Sequence, residues 1–232
     1  MRIQTRYNFN QLKQIFPKAH IEKCSDTWEY ERKEGKFWCS EDTREIRSIR
    51  FGRMTDLQKM VMRYLDFQND RQITVWYDQE GCHGKSWLTI HLWETGRACV
   101  VPSSVQTPKE IIQFVCSNYR GQPYIVIDVP RAGKWSEGLY EAIESIKDGL
   151  VYDTRYSGRM RNIRGVKILV LTNTSPKPGK LSDDRWMILD QRKLEKNEEP
   201  RILVTRAKDH GTTCTGETHS GNSEKRSGGT LS

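Results

Sequence analysis

The chain has 232 residues, 35% of them hydrophobic and 9% aromatic, enough for one large or two small packed cores and too apolar for a disordered protein. Its 38 Lys and Arg exceed its 30 Asp and Glu, and the resulting charge of +8 and pI near 9.2 favour a polyanionic partner, nucleic acid first. No apolar run approaches the roughly 20 residues of a membrane span, and the first twenty residues lack a signal-peptide core, so the expectation is a protein of the cytoplasm or nucleus, neither secreted nor membrane-bound.

In chain order, Phe9, Leu12, Ile15 and Phe16 recur on one helical face until Pro17, which predicts a short amphipathic helix. Ala19–Lys23 reads as a strand, and the aromatic stretch Trp28–Trp38 surrounds a turn at Glu34-Gly35, so the start of the chain reads as a small α+β piece. Thr55 is a helix cap before Leu57, Met60, Val61, Tyr64 and Leu65, a helix that reads as connecting or oligomerising. None of the six cysteines (Cys24, Cys39, Cys82, Cys99, Cys116, Cys214) forms a C-x-x-C pair, which argues against structural zinc and for reduced, mostly packing thiols. The lone His20 reads as packing rather than ligand.

From Ile73 the texture becomes α/β. Ile73–Tyr77 is a predicted strand, Trp87–Glu94 a helix, and Asp78-Gln79-Glu80-Gly81-Cys82-His83-Gly84-Lys85-Ser86 lies between them. That order suits phosphate binding: Gly81 and Gly84 let N–H groups around Cys82 and His83 turn inward, Lys85 supplies charge to the outer phosphates, and Ser86 can ligand Mg²⁺ at the helix N-terminus. The strict pattern wants Gly at Gln79, so the match is to the shorter G-x-x-G-K-S form. The apolar runs 124–127 and 166–171 read as strands of a mostly parallel sheet. Asp128 closes the first, placed to hold Mg²⁺ or its water, and Asn173 follows the second, within reach of a γ-phosphate or a lytic water. A second acid after Asp128 is missing, since Val129, Pro130 and Arg131 follow; Glu141 and Glu144, on a predicted helix from Leu139 to Ile146, are alternatives for the base. Between the two strands, Arg155, Arg159, Arg161 and Arg164 accompany Tyr156 around a turn at Ser157-Gly158, a hairpin suited to the phosphates and bases of a single strand. After about Thr205 almost no apolar residue remains, and the tail is expected to be disordered.

Residues 72–190 resemble the superfamily 3 helicase domain of replication-associated (Rep) proteins of small circular single-stranded DNA viruses, the smacovirus type among them. The resemblance rests on 78–86, Asp128-Val129-Pro130-Arg131, the segment 149–165 and Val170-Leu171-Thr172-Asn173. It implies ATP on Gly81 to Ser86, Mg²⁺ on Ser86 and Asp128, γ-phosphate sensing by Asn173, and an arginine finger acting between subunits of a homo-oligomeric ring, for which Arg185 is the candidate. The N-terminal part resembles the end of the family's HUH nicking domain, whose tyrosine attacks the origin phosphate; Tyr30-Glu31-Arg32-Lys33 fits its Y-x-x-K motif, giving Tyr30 as nucleophile with Lys33 beside it. No H-x-H or H-x-Q pair precedes it, so the expectation is an incomplete nicking domain.

The expected architecture is therefore a partial HUH-like α+β domain over 1–54, a helical connector over 55–71, a P-loop α/β helicase domain over 72–204 and a tail over 205–232. The expected function is an ATP-dependent helicase of rolling-circle replication acting on single-stranded and origin DNA in the host cell, in the nucleus of a eukaryotic host and otherwise in the cytoplasm. A non-catalytic nucleic-acid-binding fragment and an RNA helicase of related viral type stay open as alternatives.

Overall fold

Apolar residues in the central strands are buried on both faces, the pattern of a parallel sheet covered by helices on two sides. The structure, a computed structural model, describes residues 5–22, 37–105, 107–131, 135–155, 158–196 and 201–202. Its main sheet contains β1 (Ile73–Tyr77), β2 (Ala98–Val101), β3 (Tyr124–Asp128), β6 (Lys167–Thr172), β7 (Trp186–Asp190) and β8 (Arg201–Ile202), in the order β2-β3-β6-β1-β7-β8. The first five are parallel and β8 joins the edge antiparallel. The fold class is α/β, as the strand–helix alternation predicts.

Each strand divides its side chains between two clusters. Ile73, Val75, Ile125, Ile127, Ile168 and Val170 face α5 (Pro108–Asn118) and α6 (Glu137–Asp148), which contribute Ile111, Val115, Ile143 and Ile146. Trp76, Val126, Leu169 and Leu171 face α3 (Asp56–Phe67) and α4 (Lys85–Glu94), which contribute Val61, Leu65, Leu88 and Leu92. The helix expected as a connector is thus part of the α/β body: its apolar stripe covers the sheet, and residue 72 is not a packing boundary. Thr55 caps α3 as expected, in a capping box with Gln58.

No element is predicted at α2 (Arg44–Arg50), α5 or β2, nor at β7 and the short elements after it. For α5 the signal is present, since Thr107 caps it, Pro108 occupies its first turn and Glu110 closes a capping box. A small second sheet pairs β4 (Leu150–Asp153) with β5 (Arg159–Asn162), the hairpin expected around Gly158. Among the described residues, a 3₁₀ turn at Asp183–Arg185 precedes β7 and α7 (Gln191–Glu195) follows it.

At the start, α1 (Phe9–Ile15) is capped by Asn8 and Gln11 but buries none of its residues. The strand expected at Ala19–Lys23 is corrected over 19–22, which pair with no strand among the described residues; His20 is exposed there rather than packed. A strand persists only when a neighbour satisfies its ladder. Trp28 to Lys36, with Tyr30 and Lys33, and residues 205–232 lie outside the described residues.

Candidate nucleotide site

The register of β1, β6 and β3 decides which side chains meet. Tyr77 pairs with Thr172 and Asp128 with Leu171, so the loop after β1, Asn173 after β6 and Asp128 on β3 stand side by side at the C-terminal edge of the sheet. Ligands of open α/β sheets bind at this edge. The loop leads into α4, whose first turn carries Lys85 and Ser86 and whose exposed amides face the same edge.

Three successive turns of the loop need left-handed backbone: Gly81 at φ 86°, Cys82 at φ 66° and Gly84 at φ 83°. Glycine adopts this freely, whereas Cys82 does so at some cost, the only non-glycine to do so among the described residues. Asp78 organises the interior. Its side chain is fully buried; one carboxylate oxygen accepts from the Gly81 N–H at 2.8 Å and lies 3.0 Å from His83 Nδ1, and the other accepts from Lys85 Nζ at 2.7 Å. Burial pushes the Asp78 carboxyl up, but the Lys85 ammonium, the Gly81 N–H and His83 outweigh it and hold it below its ordinary value. His83 also faces Glu195 Oε1 at 3.4 Å, tying the loop to α7.

Groups outside the loop hold its carbonyls. Asn173 Nδ2 donates to the Asp78 carbonyl at 2.6 Å, Arg131 Nη2 to the Glu80 carbonyl at 2.7 Å, and Gln58 Nε2 to the Gly84 carbonyl at 2.9 Å. The Gly84 carbonyl also accepts from the Leu88 N–H. In a trans peptide this orientation turns the Lys85 N–H the opposite way, to the loop side. Between these groups lies a cavity of about 400 Å³ lined by Gly81, Cys82, Gly84, Lys85, Ser86, Trp87, Arg131 and Asn173, with no carboxylate in its lining. Cys82 is exposed there rather than packed, while Cys99 and Cys116 are buried.

Asp128 is half-buried. Burial raises its carboxyl above the ordinary value, and Lys85 partly offsets this. Asp128 lines a neighbouring cavity with Val129 and Pro130, while the exposed Ser86 lines the loop cavity; a carboxylate and a hydroxyl are hard oxygen donors of the kind Mg²⁺ accepts together with phosphate and water. Glu141 and Glu144 line none of this: Glu141 is exposed on α6, and Glu144 Oε1 lies 3.2 Å from Arg185 Nη2. Arg185 is likewise not at the site. It precedes β7 at the N-terminal edge of the sheet, its side chain only 9% exposed and held by Asp148 at 3.2 Å as well. No local pattern signals this, because the partners Glu144 and Asp148 lie about forty residues away on α6.

The basic hairpin is formed but only part of it presents charge. Asp153 accepts from Arg155, which together with Ser117 holds its carboxyl well below the carboxylate range. Arg161 Nη1 donates to the Tyr119 carbonyl at the end of α5. Arg159 and Arg164 are exposed and their guanidinium groups have no hydrogen-bond or ion-pair partner among the described residues. Leu150, Tyr152 and Met160, on the other face of the hairpin, are 62%, 46% and 66% exposed.

No family model matches the chain. Over 115 residues it is 27% identical to a Master replication protein of Banana bunchy top virus, an alignment covering 50% of this chain and 38% of that protein. Over 130 residues it is 28% identical to a Master replication protein of Subterranean clover stunt virus, covering 56% and 43%. The chain spans about two-fifths of the length of these curated relatives.

Proposed function

We propose that this chain is the ATP-hydrolysing motor part of a viral replication initiator, with a P-loop domain of the superfamily 3 helicase type. The observation that carries the proposal is the meeting of the Lys85 loop, Asn173 and Asp128 at the ends of three neighbouring parallel strands. The names of the two relatives support the replication role.

In this proposal the N–H groups of the loop and of the first turn of α4 receive phosphate oxygens, and Lys85 leaves Asp78 to pair with the outer phosphates. Asn173 orients the attacking water or the γ-phosphate from the far side of the loop. Ser86 and Asp128 would hold Mg²⁺, which when bound supplies charge to the phosphates. Arg159 and Arg164 attract a single strand through its phosphates. We place the protein in the host cell, in the nucleus where the host is eukaryotic, acting on DNA as a homo-oligomeric ring. Nicking by Tyr30 with Lys33 stays a proposal for residues outside those described.

The test is ATP hydrolysis by the full chain with and without a single-stranded DNA oligonucleotide, beside an RNA of the same sequence and beside Lys85→Ala. Turnover in the wild type, stimulated by DNA and lost in the variant, is expected. A wild type no faster than Lys85→Ala sinks the proposal.

A further inference from the structure

We infer that Arg131 is a phosphate ligand contributed by the same subunit, binding the outermost phosphate of the nucleotide and stabilising the charge that develops as it is transferred. This rests on the ATP proposal above and adds a residue to it. Arg131 stands three positions past Asp128, where no acid follows. Its Nη2 donates to the Glu80 carbonyl, and the same nitrogen lies 2.6 Å from where a Cβ on Gly81 would be. The guanidinium therefore lies directly on the loop backbone, in space that only glycine at position 81 leaves open. It faces the same cavity as Lys85 and Asn173.

The charges favour an anion there. Asp78 balances Lys85 one for one, and no carboxylate lines the cavity. Arg131 has the Glu80 carbonyl as its partner among the described residues, although a guanidinium carries five N–H donors in a planar fork. A fork of this shape matches two phosphate oxygens at once. Gly81 and Asn173 line the cavity beside Lys85, the group assigned to the outer phosphates, so the contact is assigned to the outer phosphate rather than to the inner ones at the helix N-terminus. In hydrolysis the water oxygen forms a bond to the γ-phosphorus while the bond to the bridging oxygen breaks. ADP leaves with that electron pair and the water proton ends on the released phosphate. Arg131 transfers no proton; its N–H groups follow the charge on the γ-oxygens.

The experiment compares wild type, Arg131→Ala, Arg131→Gln and Lys85→Ala for turnover and for affinity toward ADP and a non-hydrolysable ATP analogue. Glutamine keeps a neutral N–H donor, on a side chain two bonds shorter, and carries no charge. The expected result is that both Arg131 variants lose roughly tenfold or more in affinity for the triphosphate analogue, with ADP affinity little changed. Both should also lose on the order of 10²-fold in kcat. Rescue by Arg131→Gln, or equal losses for ADP and the triphosphate, would make Arg131 a brace for the loop and overturn the inference. So would wild-type turnover in Arg131→Ala. A wild type that binds no nucleotide is a different outcome and strikes the ATP proposal itself. A fold check by circular dichroism accompanies each variant, and if Arg131→Ala unfolds, Arg131→Gln decides alone.

Discussion

Lys85 Nζ is held 2.7 Å from Asp78 Oδ2, and the carboxylate it pairs with is fully buried. The loop lysine thus neutralises the charge around which the loop turns, besides being the group meant for phosphate. Removing it leaves Asp78 with the Gly81 N–H and His83 alone. Lys85→Ala should lose turnover and also about 2 kcal/mol of stability, the worth of a hydrogen bond to a buried charge. Adding Asp78→Asn to that variant should restore much of the melting temperature without restoring turnover. If both single and double variants melt with the wild type, the pair has no structural role.

Gln58 joins the cap of α3 to the loop with one bond to each. Its Oε1 accepts from the Thr55 N–H at 2.9 Å and its Nε2 donates to the Gly84 carbonyl at 2.9 Å. Gln58→Leu should cost about 1 kcal/mol and raise the KM for ATP several-fold, because the peptide aiming the Lys85 N–H keeps only its bond from the Leu88 N–H. Gln58→Glu should be worse, since it sets a carboxylate oxygen against that carbonyl. Steady-state kinetics on the two variants test this, and an unchanged KM in Gln58→Glu would refute it.

On the hairpin, Arg159 and Arg164 are exposed with no guanidinium partner among the described residues, while Arg155, also exposed, is engaged with Asp153. Replacing Arg159 and Arg164 together with Ala should flatten the salt dependence of single-strand binding by roughly one unit of slope or more. Arg155→Ala should change it less. Binding isotherms at several salt concentrations decide, and an unchanged slope in the double variant would remove the hairpin from the interface.

Arg185 pairs with Asp148 and Glu144 across the N-terminal edge of the sheet. Arg185→Ala is expected to lower the melting temperature and leave turnover per folded molecule intact. A variant with a wild-type melting temperature and no turnover would return Arg185 to the role of an intersubunit finger.

Lys147 is 3% exposed and donates to Gln68 Oε1 at 2.8 Å and to the Val166 carbonyl at 3.2 Å. Burial pushes its ammonium down to about 8 from an ordinary 10.5, with Asp70 opposing and Lys167 and Arg185 assisting. Between those two values the unfolded chain binds more protons than the folded one, so this group makes stability rise with pH across that window. Cys99, pushed up to about 11 by burial, acts in the opposite sense from pH 9 upward. The difference between wild type and Lys147→Met therefore isolates the lysine: the denaturant midpoint of the wild type should rise relative to that of the variant from pH 8 to 10.5. A constant difference would show that Lys147 titrates normally.

The sequence alone determined what depends on local pattern. The β-branched runs at 124–127 and 166–171, the cap at Thr55, and the glycine spacing before Lys85 each specify an element through periodicity or backbone freedom within a few residues. The parallel sheet and the lysine, acid and asparagine at its edge were legible for that reason. Tertiary structure decided which charges are free and which are paired. Asp78 reads as an ordinary residue before a glycine-rich loop, yet burial makes it the partner of Lys85. Arg185 reads as a finger, yet α6 supplies two carboxylates that occupy it. Arg131 reads as an acid gone missing, yet the register of β3 beside β6 brings its guanidinium against Gly81. These outcomes depend on strand order and register, which join residues tens of positions apart, and no local pattern of apolar and polar residues encodes that distance.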